Sequence, residues 1–328
     1  MTLPQPLTIV MYHYVRPLGL TRFPAIKGLD LSLFREQVEY LRRHYEFVSG
    51  PDLLGAIKTG LWDLPRNAVL LTFDDGYVDH FSYVFPILDE HRLPACFFPP
   101  ASAVVDRSLL DVHRIQFVLA STPDKRLLVA EILASLDQYR AEFNLPTNDQ
   151  LLSDLAEPSR HDSADVMFIK NMLQVALPPA LRARITEDLF AHHVSADERA
   201  FAEELYVGVD QLRCMVRHGM YVGSHGDRHV WMSTLDAAAQ ARDIDRAVEM
   251  LRFVGTPTQD WIMCYPYGDS NQSLREVLQQ RGCRVGLTTE VNIANGAGDP
   301  LLMPRLDTND LPKIGAAAPC EWTLRVLQ

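Results

Sequence analysis

Short apolar runs recur along the chain, and several of them stop at a residue able to do chemistry. Leu7–Tyr12 (L-T-I-V-M-Y) runs into His13, residues 68–73 (A-V-L-L-T-F) run into Asp74 and Asp75, and residues 95–98 (A-C-F-F) stop at Pro99 and Pro100. Residues 220–222 lead through Gly223 and Ser224 to His225, residues 261–265 (W-I-M-C-Y) end at Pro266, and residues 284–288 follow Gly282. Runs that are continuously apolar, rather than alternating, predict parallel strands buried on both faces.

Helical periodicity fills the intervals. In residues 32–45, Phe34, Val38 and Leu41 share one face, and Ser32 is placed to cap the start. In 236–254 the face is Ile244, Ala247, Val248 and Leu251, closed by Gly255; in 270–281 it is Leu274, Val277 and Leu278, closed by Gly282. Alternating strands and helices predict an α/β fold built on a parallel sheet, open or closed into a barrel. Residues 109–206 differ: they read as helices near 112–120, 124–139, 164–176 and 179–193, with Pro178-Pro179 separating the last two. This divides the chain into a discontinuous α/β domain, 1–108 and 207–328, and an inserted helical subdomain, 109–206.

Composition narrows the function. Among 328 residues, 47% are apolar and the formal net charge is −11. A sizeable core is therefore available, and nucleic acid or an anionic membrane surface is an unfavourable partner for the bulk charge. Cys96, Cys214, Cys264, Cys283 and Cys320 form no C-x-x-C pair, so they read as thiols in a reducing compartment. With no signal-like start and no apolar run long enough to span a bilayer, the expectation is a cytoplasmic protein without a membrane span.

Candidate chemistry lies at the strand ends, where α/β folds place their sites. Asp74 and Asp75 point in different directions after a buried strand, so one can bind a metal while the other takes a proton, and Gly76 permits a sharp turn. The same Asp-Asp-Gly is also a common surface turn. His225 and His229, at i and i+4, can converge on one ion, and one carboxylate added to them gives an open His₂-carboxylate site. A lone pair of this kind is otherwise a solvated surface feature. Tyr267, in Met263-Cys-Tyr-Pro-Tyr-Gly268, offers a backbone N–H and a ring, or simply a packed turn. His13 is the fourth candidate, with a structural histidine as the plainer reading.

Taken together, the order of these motifs resembles the polysaccharide deacetylases, the NodB-homology family of carbohydrate esterases. Thr72–Gly76 is T-F-D-D-G, His225-Gly-Asp-Arg-His229 keeps both histidines of the second motif, and Cys264-Tyr-Pro-Tyr-Gly268 stands where the family has R-x-P-[FY]. The opening M-Y-H-Y-V and the A-C-F-F run resemble the branches with permuted motif order, in which an early Tyr-His strand supplies a histidine. The likeness covers residues 7–107 and 207–310.

The resemblance implies a distorted (β/α) barrel of about seven parallel strands, and one divalent metal per chain, most often zinc. It implies Asp75, His225 and His229 as metal ligands, Asp74 as general base and His13 as general acid. Tyr267 would serve the oxyanion with its backbone N–H, and Tyr265, Pro266 and Tyr267 would line the substrate. The histidines of the sequence end at His229, so no later motif supplies the acid; His113, His161, His192 and His193 fall in the insertion. Cys264 replaces the arginine that orients the base, and Arg305 in M-P-R-L is the expected substitute. The activity implied is removal of N-acetyl groups from an amino sugar, in assembly of a polysaccharide or of lipopolysaccharide O-antigen or capsule. Two alternatives stand beside it: an amidase for another substrate, or, because of Cys264, a degenerate relative that binds glycan without turnover.

Overall fold

The computed structural model describes residues 5–159 and 162–327; His161 and the outermost residues of the two α/β segments lie outside them. Among the described residues, seven parallel strands make up the ring: β1 (Leu7–Tyr12), β2 (Ala68–Asp74), β3 (Cys96–Phe98), β4 (Tyr221–Val222), β5 (Trp261–Cys264), β6 (Cys283–Leu287) and β7 (Leu306–Asp307). Strand β1 pairs with β2 on one side and β7 on the other, β2 continues to β3 and β3 to β4, and β5 pairs with β6. Two joints are narrower: the single parallel bridges Ser224–Met263 and Leu287–Met303 carry the ring from β4 to β5 and from β6 towards β7. The ring is a distorted (β/α) barrel.

Period-two alternation sorts its side chains. Val10, Tyr12, Val69, Leu71, Phe73 and Met263 face outward, in one apolar cluster with Phe34, Val38, Ile244, Leu251 and Leu274 of the surrounding helices. Leu7, Ile9, Ala68, Leu70, Cys96, Phe98, Ile262, Cys264, Val285 and Leu287 form the inner cluster, joined by Leu53, Leu54 and Ala56 of the helix Gly50–Thr59. That helix starts against the first residues of β3 and β4: a Cβ on Gly50 would meet the Tyr221 ring at 2.8 Å and Cys96 Sγ at 3.0 Å. One end of the interior is thus filled with hydrocarbon. The inward rows continue at the other end into polar residues: Ala68, Leu70, Thr72, Asp74 on β2, and Leu7, Ile9, Met11, His13 along β1 and just past it.

The first long helix is Leu31–His44, and Asp30 caps it by accepting from the Ser32 N–H at 2.9 Å, so Ser32 is the second helical residue and not the cap expected of it. Ala237–Val254 ends at Gly255, whose φ of 93° is the left-handed closure that its position suggests.

The chain divides into two compact units. One holds the described residues through Pro17, Gly28–Ser108 and those from Ala202 on; the other holds Leu18–Lys27 and Leu109–Phe201. Between 109 and 201 the described residues form helices and connections, including Asp111–Ser121, Lys125–Phe143, Asn148–Leu155, Ala164–Asn171 and Pro179–His193. Asn148–Leu155 was not foreseen in the periodicity, since only Leu151 of it is fully buried. Leu18–Lys27 belongs with this unit because Phe23 packs edge-on against Phe117 at 5.0 Å and Phe201 at 5.8 Å.

Candidate active site

The carboxyl ends of the barrel strands carry the functional side chains, and strand register decides which of them meet. Arg305 lies in the inward row of Met303. Its guanidinium spans Asp74 with two parallel bonds, Nη1 to Oδ1 at 3.0 Å and Nη2 to Oδ2 at 2.8 Å. Nη1 also reaches Thr72 Oγ1 at 3.1 Å, and Nε donates to the Thr288 carbonyl at 2.8 Å. Burial pushes the Asp74 carboxyl up, but the Arg305 charge, with His225, the Arg305 hydrogen bonds and His13, outweighs it and holds the group below the ordinary carboxylate range. Asp74 is therefore held ionised and fixed in place.

Asp75 leaves the strand with φ 74°, which swings its side chain away from that of Asp74. Gly76 follows at φ 68°, where an added Cβ would lie 2.6 Å from Pro99 Cβ, so only glycine fits the turn. Asp75 Oδ1 stands 3.4 Å from His225 Nε2 and 3.2 Å from His229 Nε2. Oδ2 accepts from the Tyr77 hydroxyl at 2.6 Å, and the Tyr77 ring is stacked on Tyr14 with centroids 3.8 Å apart. His225 Nδ1–H donates to the Cys264 carbonyl at 2.7 Å, which leaves the Nε2 lone pair facing Asp75.

These atoms fit a divalent ion. Around a tetrahedral ion with bonds of about 2.0–2.1 Å, ligand atoms stand about 3.3 Å from one another; Asp75 Oδ1 has both imidazole nitrogens at that separation. His225 also lies within reach of Asp74 and the Cys264 thiol. That second set fits poorly, because Arg305 takes both Asp74 oxygens and burial raises the Cys264 thiol, keeping it protonated.

His13 Nε2 lies 4.0 Å from Asp74 Oδ2, and its ring is 41% exposed where Asp74 is buried. The carbonyl of His13 accepts from His80 Nε2 at 2.9 Å, which anchors the turn that carries it. Tyr267 has φ 58°, packs its ring edge-on to His229 at 4.7 Å, and stacks face to face with Trp231 at 4.5 Å. Asp75, His229 and Tyr267 are three of the seven non-glycine residues with positive φ among the described residues, so backbone strain of about 1–3 kcal/mol each is concentrated here.

Tyr265 is a correction to the expected substrate contacts. It is fully buried, its hydroxyl donates to the Leu301 carbonyl at 2.9 Å, and its N–H bonds to Leu287, so it braces the barrel wall. Pro266 is buried beside Gly226. Thr72, Tyr77, His80, Trp231 and the Cys264 carbonyl are the contributors missed in the sequence. Thr72, which opens T-F-D-D-G, and Tyr77, directly after it, carried a positional hint without a role; the others act through backbone atoms or through neighbours remote in the chain.

The distorted (β/α) barrel is a fold shared with known deacetylases. The Streptococcus pyogenes deacetylase PplD, solved in complex with acetate, superposes with a TM-score of 0.58 at 15% identity over 99% of both chains. IcaB from Ammonifex degensii superposes with a TM-score of 0.53 at 18% identity over 99% of this chain and 97% of that one. Residues 63–125 and 184–286, about half of the chain, match the family described as polysaccharide deacetylase, and the chain belongs to that family. Over 74 residues it is 43% identical to the poly-β-1,6-N-acetyl-D-glucosamine N-deacetylase of Escherichia coli K12. That stretch is 22% of this chain and 11% of the relative's length.

Proposed function

We propose that this protein is a divalent-metal-dependent hydrolase that removes N-acetyl groups from the amino sugars of a glycan. The observation that carries the reading is Asp75 Oδ1 held between two imidazole nitrogens, with a second carboxylate, Asp74, clamped by Arg305 beside it.

Asp75, His225 and His229 would hold the metal, with zinc favoured by a donor set of two imidazoles and a carboxylate. A bound divalent ion supplies Lewis acidity towards the acyl oxygen and lowers the pKa of water. The protein's own residues complete the chemistry. Asp74, kept ionised by Arg305, takes a proton from the attacking water. His13, on the exposed side of Asp74, delivers a proton to the departing amine, which cannot leave as an anion. The Tyr267 N–H serves the developing oxyanion, and an outer face of the stacked Trp231–Tyr267 pair offers a flat wall for a sugar ring. The products are acetate and a free amino sugar.

The segment shared with the Escherichia coli enzyme makes a β-1,6-linked N-acetylglucosamine polymer the first substrate to test; O-antigen and capsule precursors come next. Binding without turnover draws its support from Cys264 in the arginine position, but Arg305, just ahead of β7, meets Asp74 instead. The test is acetate and free-amine release from β-1,6-linked N-acetylglucosamine oligomers by chelator-stripped protein, before and after zinc. Release only after zinc is the expected result. Glycan binding with no acetate at any metal loading would overturn the reading.

A further inference from the structure

The helical unit brings together donor atoms that the barrel chemistry does not use. His192 and His193 are the last two residues of the helix Pro179–His193, and Glu131 lies in the first half of Lys125–Phe143. His193 Nε2 stands 2.9 Å from Glu131 Oε2, and His192 Nδ1 stands 3.5 Å from the same oxygen. All three donor atoms lie within 4.8 Å of one another.

Successive helical residues project about 100° apart and do not ordinarily share a target. Here they do, because one ring presents its near nitrogen, Nδ1, and the next its far nitrogen, Nε2; the ring centroids are 4.4 Å apart. The remaining nitrogen of His193, Nδ1, is engaged by Thr122 Oγ1 at 3.3 Å, which sets the ring with Nε2 towards Glu131. Exposure is graded across the cluster, from 16% at His193 through 36% at Glu131 to 72% at His192, so an ion reaches it from solvent and keeps room for water. The helix end also places orphan carbonyls, the negative pole of the backbone dipoles, next to the cluster.

We propose that Glu131, His192 and His193 form a second divalent transition-metal site, one that ties Pro179–His193 to Lys125–Phe143 inside the helical unit. Two imidazoles and a carboxylate suit zinc, cobalt or nickel, whereas magnesium and calcium prefer all-oxygen sites. The site is structural, with no part in the barrel's reaction.

The test is zinc stoichiometry on the chelator-stripped full chain, by calorimetric titration and by metal analysis after desalting. Two zinc ions per chain are expected. Glu131→Gln, which preserves shape and hydrogen bonding, should bind one and release acetate at an unchanged rate. His229→Ala should bind one through the other site, and the two changes combined should bind none. Zinc should raise the melting midpoint of His229→Ala and leave that of the double variant unmoved. Loss of an ion in Glu131→Gln supports the site whatever His229→Ala does, so failure of the barrel reading remains distinguishable. Unchanged stoichiometry and affinity in Glu131→Gln would overturn the proposal and leave an ordinary histidine–carboxylate ion pair.

Discussion

His13 and Asp74 are neighbours because two parallel strands run in register. Tyr12 pairs with Phe73, so the next residue of each chain, with its side chain pointing inward, emerges at the same height on the barrel rim. The 4.0 Å between His13 Nε2 and Asp74 Oδ2 follows from that register. In the proposed reaction, an exposed imidazole beside a buried carboxylate would divide the two proton transfers between two environments. His13→Ala should therefore keep its metal and lower kcat by roughly 10²–10⁴-fold, the usual span for an acid–base group. Metal analysis together with kcat checks this, and full activity in the variant would remove His13 from the reaction.

The Arg305–Asp74 pair is buried on both sides, so its two partners are not equivalent to surface charges. Arg305→Ala leaves an unpaired buried carboxylate, and a stability loss of about 3–5 kcal/mol is expected. Arg305→Lys keeps the charge without the two-pronged geometry, and should fold, retain metal and lose on the order of 10²-fold in kcat. Thermal melts of both variants, with metal content and kcat for the lysine one, separate support of the fold from orientation of the base.

Tyr77 reaches Asp75 on the oxygen that the histidines do not face. Tyr77→Phe removes one hydroxyl and leaves the ring on Tyr14, so folding should be preserved while metal affinity falls about 10–100-fold, as for other groups that orient a ligand. Competition with a chelator of known affinity measures it.

His80 is buried and donates to the His13 carbonyl, and burial pushes its pKa down to about 4. Between about 6.5, the unfolded value, and about 4, the unfolded chain binds a proton that the folded chain refuses, so stability is lost as pH falls through that window. The loss attributable to this one side chain is on the order of 3 kcal/mol by pH 4. His80→Gln keeps a donor near the Nε2 position and should flatten this part of the stability–pH curve. Denaturant melts at pH 7, 5.5 and 4 test it, and equal slopes in both proteins would contradict it.

The barrel strands were legible in the sequence because they are buried on both faces, so their apolar runs need no partner to be recognised. Helices such as Ala237–Val254 were legible from a regular apolar face and an end glycine. What was not legible depends on residues far apart in the chain. Asp30 rather than Ser32 caps its helix because the extended Asp30 backbone turns its carboxylate back, which composition does not reveal. Tyr265 reads like a rim aromatic, yet it falls on the wall, where its hydroxyl finds the Leu301 carbonyl. The attachment of Leu18–Lys27 to the helical unit rests on Phe23, on Arg22 over the Phe201 ring and on the Lys27–Asp162 ion pair, in a segment with no periodicity. At the site, the residue types and their order pointed to Asp74, Asp75, His225 and His229, which the fold brings together, whereas supporting groups such as the Cys264 carbonyl have no side-chain signature.

The two narrow joints give the barrel wall a hinged panel. Strands β5 and β6 are attached to β4 by the backbone bonds Ser224 N–H to Ile262 and Cys264 N–H to Ser224, and towards β7 by Met303 N–H to Gly286, Thr288 N–H to Met303 and Arg305 N–H to Glu290. Amides along those seams should exchange with deuterium sooner than those of the β1–β2 seam, which pairs six residues of each strand. His225 stands on one side of the first seam and its Cys264 acceptor on the other. Loading the neighbouring site would then act as a latch, slowing exchange across the panel while leaving the far wall of the barrel as it was.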